Sequence, residues 1–274
     1  AVPAKETVST APLPLAGHTV VLSVDDGYHS VFTNIYPLLK RHRMTMTLGV
    51  ICDYLRGGSP SYGSGAGFVR RSEVREMVDS CGIEIASHSL SHPFLTRLDS
   101  AAAWREIHDS KVILESLFGE EVLTFVYPYG DLNARTVRMV QAAGYRMGRA
   151  VREGRFDLET DPWRVPTVEL RLETSLETIK RQVLARPVTI LLLHQVVRNP
   201  RVFTEWPLDD FAELLEWLDS GGARVTTLRR LHREWRQERL GPVLAEIAAA
   251  FPDDRKRLSF QDVNINATQA PHAR

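Results

Sequence analysis

A chain of 274 residues, 43% hydrophobic and 25% charged, has the ordinary balance of a globular protein and enough apolar material for a sizeable core without a disulfide scaffold. Its 34 basic and 34 acidic residues cancel, so no whole-molecule field draws it to nucleic acid or to an anionic membrane. The mainly apolar run Val188 to Leu193, interrupted only by Thr189, is far shorter than the roughly 20 residues that span a bilayer, which argues against a transmembrane segment.

Residues 1–17 carry Pro3, Pro12 and Pro14 among small residues and read as an extended N-terminal arm. No signal peptide is visible, and because the sequence starts at Ala1 without methionine this establishes no cytoplasmic address. His18 to Val24 is a β-rich run that ends in Asp25-Asp26-Gly27. Val31, Ile35, Leu38 and Leu39 then recur at helical spacing, with Pro37 expected to kink the helix or break its first turn. Thr45 to Ile51 is the next strand. Residues 56–67 hold five glycines among serines and read as a surface loop. Ser72 reads as the N-cap of a helix that Gly82 stops, before the short strand Ile83 to Ala86.

Leu98 to Phe118 is a longer helix, capped by Asp99 or Ser100 and followed by Gly119. The alternation goes on with strand Val122–Val126, helix Ala134–Ala143, strand Tyr145–Val151, strand Val165–Leu170 and helix Thr174–Arg186. Strand Val188–His194, helix Leu208–Ser220 and strand Arg224–Leu228 complete it. Strands alternating with helices imply βαβ units and a parallel sheet. The spacing predicts an α/β fold, a distorted (β/α) barrel of seven or eight parallel strands in a single domain over residues 18–230. Residues 231–274 are a C-terminal helix and polar tail. The helix carries Leu231, Trp235, Leu240, Val243, Leu244 and Ile247, which either pack on the barrel or meet a partner. Cys52 and Cys81 fall at opposite ends of such a barrel and should be free thiols.

Several residues at strand ends carry chemistry. Asp25 and Asp26 are adjacent carboxylates after a buried strand, which is costly unless a cation offsets them, although Asp-Gly is also a plain turn signal. His88 and His92 follow another strand, and their spacing of four sets both rings on one face if the segment makes a helical turn. Two histidines and one carboxylate form a common open metal site. His194 ends the apolar strand, at the face where barrel loops build active sites, and imidazole can donate a proton near pH 7. Tyr127-Pro128-Tyr129-Gly130 reads as either an aromatic turn or a substrate wall whose amides stabilise an oxyanion.

In order, Ser23-Val24-Asp25-Asp26-Gly27, His88-Ser89-Leu90-Ser91-His92, Tyr127-Pro128-Tyr129-Gly130 and Leu191-Leu192-Leu193-His194 resemble the signatures of the polysaccharide deacetylase family (NodB homology, carbohydrate esterase family 4). The resemblance implies a hydrolase with one divalent ion, zinc first and cobalt or nickel as alternatives, held by Asp26, His88 and His92. It makes Asp25 the catalytic base, His194 the catalytic acid and Tyr129 an oxyanion donor, with Tyr127 and Pro128 at the substrate. Val126 stands where many members have the arginine that orients the base, and Arg164 is the expected replacement. Asp161 is expected to assist the acid. The Tyr-Pro-Tyr-Gly motif is similar to that of exopolysaccharide deacetylases acting on poly-N-acetylglucosamine. The implied substrate is an N-acetylated oligo- or polysaccharide, with an O-acetyl ester of xylan or a non-sugar amide as the alternative. The implied address is extracytoplasmic, periplasmic or secreted.

Overall fold

Six consecutive buried residues, Thr19–Val24, form β1, a strand covered on both faces as a parallel sheet flanked by helices requires. The computed structural model describes residues 15–56 and 67–250. The expected N-terminal arm up to residue 14, most of the glycine-rich loop (57–66) and the polar tail from 251 therefore lie outside the described residues. After β1 come α1 (Tyr36–His42), β2 (Thr47–Val50), α2 (Arg71–Cys81), β3 (Glu84–Ser87), α3 (Ser100–Phe118), β4 (Thr124–Val126), α4 (Ala134–Ala142) and β5 (Met147–Arg149). Then follow β6 (Val168–Glu169), α5 (Leu176–Leu184), β7 (Val188–Leu193), β8 (Gln195–Val197), β9 (Glu205–Pro207), α6 (Leu208–Ser220), β10 (Arg224–Thr226) and α7 (Leu228–Ala250).

Eight of these strands form one parallel sheet in the order β5-β4-β3-β2-β1-β7-β6, with β10 beside the first half of β1. The sheet curls into the expected distorted (β/α) barrel. Its seam lies between β5 and β6, where Arg149 bridges Val165; Val165 N–H donates to Gly148 O at 2.9 Å and Ala150 N–H to Val165 O at 3.0 Å. Val24 pairs with Leu48 on β2 and Leu193 on β7, Ser87 with Phe125, and Val126 with Arg149. Parallel strands run the same way, so the residues that follow them gather at one mouth of the barrel.

Local chemistry sets the helix ends. Gly82 (φ +58) and Gly119 (φ +68) close α2 and α3 in the left-handed region that suits glycine. Asp99 caps α3, its carboxylate accepting Ala102 N–H at 2.8 Å. Ser72, expected as the cap of α2, instead lies inside its first turn. Glu73 defines that start by accepting Arg70 N–H at 2.7 Å. Val31–Ile35 is a single π-helical turn, with Tyr36 N–H donating to Val31 O, and Pro37 sits in the first turn of α1, where its missing N–H is harmless. The parallel pair β8–β9 has no counterpart in the sequence reading, because two three-residue strands are too short to display a period. Cys52 and Cys81 are free thiols, as expected.

The opposite mouth is closed by α7. Leu228, Leu231 and Trp235 pack against Val21, Met147 and Ile190 of the barrel, and the Trp235 indole donates to Asp157 O at 3.0 Å. The first turn of α7 is tied down by Leu228 N–H on Thr47 Oγ1 (2.9 Å) and Arg229 N–H on the buried carboxylate of Glu84 (2.7 Å), an acid at a helix N-terminus. Val243, further along, is exposed. Of the two readings of this helix, packing in cis holds for Leu231 and Trp235. Trp235→Ala should therefore destabilise the fold by about 3–5 kcal/mol, the cost of emptying a buried indole site. Chemical denaturation checks this, and an unchanged midpoint would mean that α7 does not plug the barrel.

Candidate active site and metal centre

Asp25 extends the β1–β7 ladder by one residue, its N–H donating to Leu193 O at 2.8 Å. Asp26 then turns into the left-handed region (φ +68), and Gly27 N–H closes the turn on Asp25 O at 2.8 Å. His194 follows Leu193, the register partner of Val24, so it leaves the sheet beside the two carboxylates. From β3, His88 N–H donates to Val50 O at 2.9 Å.

The segment from His88 to His92 is not the helical turn that the spacing suggested. Ser89 and His92 both have φ +66, and Ser89 Oγ accepts His92 N–H at 2.8 Å. The Glu106 carboxylate, from α3, accepts Leu90 N–H (3.0 Å), Ser91 N–H (2.9 Å) and Ser91 Oγ–H (2.7 Å). Side-chain acceptors thus take the amides a helix would use, and Pro93 disfavours the right-handed helical region for His92. The loop still brings the two rings together.

Asp26, His88 and His92 are the one cluster among the described residues whose donor atoms could hold a metal ion. Asp26 Oδ1 lies 3.3 Å from His88 Nε2 and 3.4 Å from His92 Nε2, and the two Nε2 atoms are 3.1 Å apart. A tetrahedral ion about 2.0–2.1 Å from each donor would separate the donors by about 3.3 Å, so the triangle fits one. Asp26 Oδ1 is buried without a hydrogen-bond partner among the described residues, which is costly unless a cation meets it. His88 Nδ1–H donates to Val126 O at 2.9 Å, which leaves its Nε2 lone pair aimed at the triangle.

Electrostatics agree with ligand chemistry at Asp26 and at His92. Burial pushes the Asp26 carboxyl up, but contact with His88 and the fields of His88, His194 and His92 outweigh it and hold the group at about 2. Burial and the neighbouring His88 lower His92 to about 4, so it is neutral near pH 7. His88 goes the other way: burial opposes its charge, yet Asp25 and Asp26 raise its pKa above the usual value.

Asp25 is only 2% exposed and is ion-paired through Oδ1 to Arg149, whose side chain is fully buried. Its Oδ2 lies 3.9 Å from His88 Nε2. Arg164, the expected partner of this carboxylate, instead pairs with Asp161, both being roughly 40% exposed. Asp161 also accepts Trp163 N–H at 2.9 Å, so its carboxylate is spent within its own turn. His194 Nδ1 has no hydrogen-bond partner among the described residues, and Asp161 does not support it. Both expectations for residues 161 and 164 are therefore corrected, because at i and i+3 of one turn they satisfy each other first.

Tyr127 and Pro128, expected at the substrate, are buried: Tyr127 N–H donates to Arg149 O at 3.1 Å and its ring meets Phe125 edge-on at 5.3 Å. Tyr129 (φ +58) is 47% exposed, stacked on Phe94 at 4.0 Å and in ring contact with His92 at 4.4 Å. Of the five non-glycine residues with positive φ among those described, Asp26, Ser89, His92 and Tyr129 all belong to this site. Such strain concentrates where function over-determines the backbone. The sequence reading missed Arg149 and Glu106. A charged residue inside the expected strand Tyr145–Val151 was the signal for the first; nothing local ties Glu106 to residues 90 and 91.

The polysaccharide deacetylase family profile matches residues 14–148, which include every residue of the donor triangle. Among curated proteins, the chain is 29% identical over 135 residues to YxkH of Bacillus subtilis, covering 49% of this chain and 45% of that one. It is 24% identical over 219 residues to the peptidoglycan-N-acetylmuramic acid deacetylase PdaC of Bacillus subtilis, covering 80% of this chain but 39% of that one. It thus spans less than half the length of either protein. A chitooligosaccharide deacetylase of Rhizobium leguminosarum is 27% identical over 191 residues, 68% of this chain and 77% of that one. The solved structure of Bacillus subtilis PdaC superposes with a TM-score of 0.56 at 22% identity, over 85% of this chain and 97% of that one, a likeness of fold.

The opposed shifts of the two histidines give a directional test. In the metal-free protein, the His88 ring should lose its proton only above pH 6.5, the ordinary value from which it is raised, whereas His92 should stay neutral down to about pH 4. Ring-proton NMR titration resolves the two. A reversed order would mean that Asp25 and Asp26 do not face His88 as described.

Proposed function

We propose that the chain is a member of the polysaccharide deacetylase family, whose profile matches residues 14–148, and that it is a metal-dependent hydrolase that removes N-acetyl groups from an N-acetylglucosamine-containing polysaccharide. The observation that carries the reading is the Asp26–His88–His92 triangle beside a buried carboxylate that is not part of it. Asp26, His88 and His92 would hold a divalent cation, zinc by the two nitrogens and one oxygen, which when bound would supply Lewis acidity toward a carbonyl oxygen and toward water.

The chain's own groups supply the rest. Asp25, held outside the triangle, removes a proton from the attacking water, and the oxygen bonds to the acetyl carbon. The Tyr129 amide, at the exposed end of the Tyr127–Gly130 turn, donates to the developing oxyanion; losing such a donor typically costs about 3–4 kcal/mol. His194 gives a proton to the sugar nitrogen as the C–N bond breaks, so acetate and a free amine leave. Relatives named as acting on chitooligosaccharide and on poly-β-1,6-N-acetylglucosamine support the N-acetyl amide as substrate. An extracytoplasmic site of action is part of this proposal.

Acetate release from β-1,6- and β-1,4-linked N-acetylglucosamine oligomers is the test, with acetylated xylan as the competing ester. The wild-type protein should release acetate from an amino-sugar oligomer and lose that activity to a chelator. Asp25→Asn should lower kcat by about 100- to 10,000-fold, the range for a general base, with bound metal unchanged. Release from xylan alone would move the substrate to an ester. Loss of metal from the Asp25 variant would make Asp25 a ligand and overturn the division of roles.

A further inference from the structure

We propose that Arg149, the last residue of β5, is the positioning residue for Asp25, so that the seam of the barrel sets the geometry of the base. This rests on the deacetylase reading and adds to it a residue that neither the motif spacing nor the family match supplies. The Arg149 side chain is fully buried, and the carboxylate it meets is Asp25 Oδ1. Its Nε and Nη1 have no hydrogen-bond partner among the described residues. A buried guanidinium that is only partly satisfied is expensive to keep, and removing its carboxylate would leave an uncompensated charge.

The pair also orients the acid. With Oδ1 taken by Arg149, the other oxygen, Oδ2, faces the donor triangle 3.9 Å from His88 Nε2. A carboxylate pinned on one oxygen presents the other in a single direction, which is what proton removal from water at that triangle requires. Because Arg149 is wholly buried, it acts through Asp25 and cannot itself meet a substrate.

Its backbone is held from both sides. Arg149 O accepts Tyr127 N–H from the β4 side, and Arg149 bridges Val165 across the seam. Gly148, next to it, has no room for a side chain: a Cβ would meet Trp163 O and Tyr127 Oη at 2.8 Å. The 161–167 segment therefore bears on the base indirectly, by fixing β5. Val126, the register partner of Arg149 on β4, borders the same carboxylate, since a Cβ on Gly49 would lie 3.4 Å from Asp25 Oδ1 and 3.5 Å from Val126 Cγ2. An arginine at 126 would thus approach Asp25 from the adjacent strand on the same sheet face.

That neighbourhood gives the test. Wild type, Arg149→Met and the double variant Arg149→Met/Val126→Arg are compared for kcat and KM on an N-acetylglucosamine pentamer, for hydrolysis of p-nitrophenyl acetate, for bound zinc and for melting temperature. Arg149→Met should lose about 100-fold in kcat, the effect of an ångström-scale misplacement, with KM and zinc stoichiometry unchanged. The double variant should regain at least a tenth of the lost rate, a rescue that mere repair of packing would not give. If Arg149→Met does not fold, the double variant alone decides: folded and active supports the proposal, folded and inactive overturns it, and failure of both to fold overturns it as well. A single variant with wild-type kcat, or one that loses zinc together with activity, also overturns it. An inactive wild type sinks the deacetylase reading and this proposal with it, whereas an active wild type indifferent to Arg149 sinks this proposal alone.

Discussion

Two adjacent carboxylates held at the buried end of one strand are the constraint around which this mouth of the barrel is arranged. Asp25 and Asp26 would repel each other and resist burial unless each met its own positive partner. The structure separates them by conformation. Asp25 stays in strand register and meets Arg149, while Asp26, turned into the left-handed region, faces His88 and His92. One acid is left with an oxygen free to accept a proton, the other with an oxygen free to bind a cation. Two neighbouring residues of one type thereby acquire different chemistry from a single backbone rotation.

The barrel makes that separation possible because its strands arrive in register from distant parts of the chain. β1 brings the carboxylates, β3 the histidines, β4 the carbonyl of Val126 that orients His88, β5 the arginine and β7 His194. No local segment could assemble these groups. The other mouth is filled by α7 and by the Glu84–Thr47 pair beneath it, so the strand ends at the active mouth are fixed from below. The positive-φ residues are accordingly a property of the rigid frame: strain at Asp26, His92 and Tyr129 persists because the ladders and the Glu106 contacts hold the segments on either side.

Much of this was legible in the residues. Glycines after helices, the Asp99 cap and the apolar runs gave the alternation of strands and helices, and Asp25-Asp26 with His88 and His92 stood out because their types and strand-end positions coincide. The conformation of the His88–His92 loop was not legible, because a spacing of four is met equally by a helical turn and by a loop whose amides are taken by Ser89 and Glu106. Nor was the partner of Asp25. Arg164 and Asp161 looked available in sequence but satisfy each other across one turn, while Arg149 reaches Asp25 across the barrel interior, a contact 124 residues apart in the chain. Tyr127 looked like a substrate residue and is instead packing: it lies buried against Phe125 just past the end of β4, and the tight turn that follows, with Tyr129 in the left-handed region, carries only Tyr129 to the surface.

The central claim is that one acid oxygen and two imidazole nitrogens from separate loops share a single cation. X-ray absorption at the zinc edge, on protein loaded with one equivalent, reads that directly. The account predicts a light-atom shell at about 2.0–2.1 Å with the multiple-scattering signature of two imidazoles, and the loss of one imidazole from that signature in His92→Ala. A sulfur scatterer, a shell without imidazole, or a spectrum indifferent to residue 92 would contradict it.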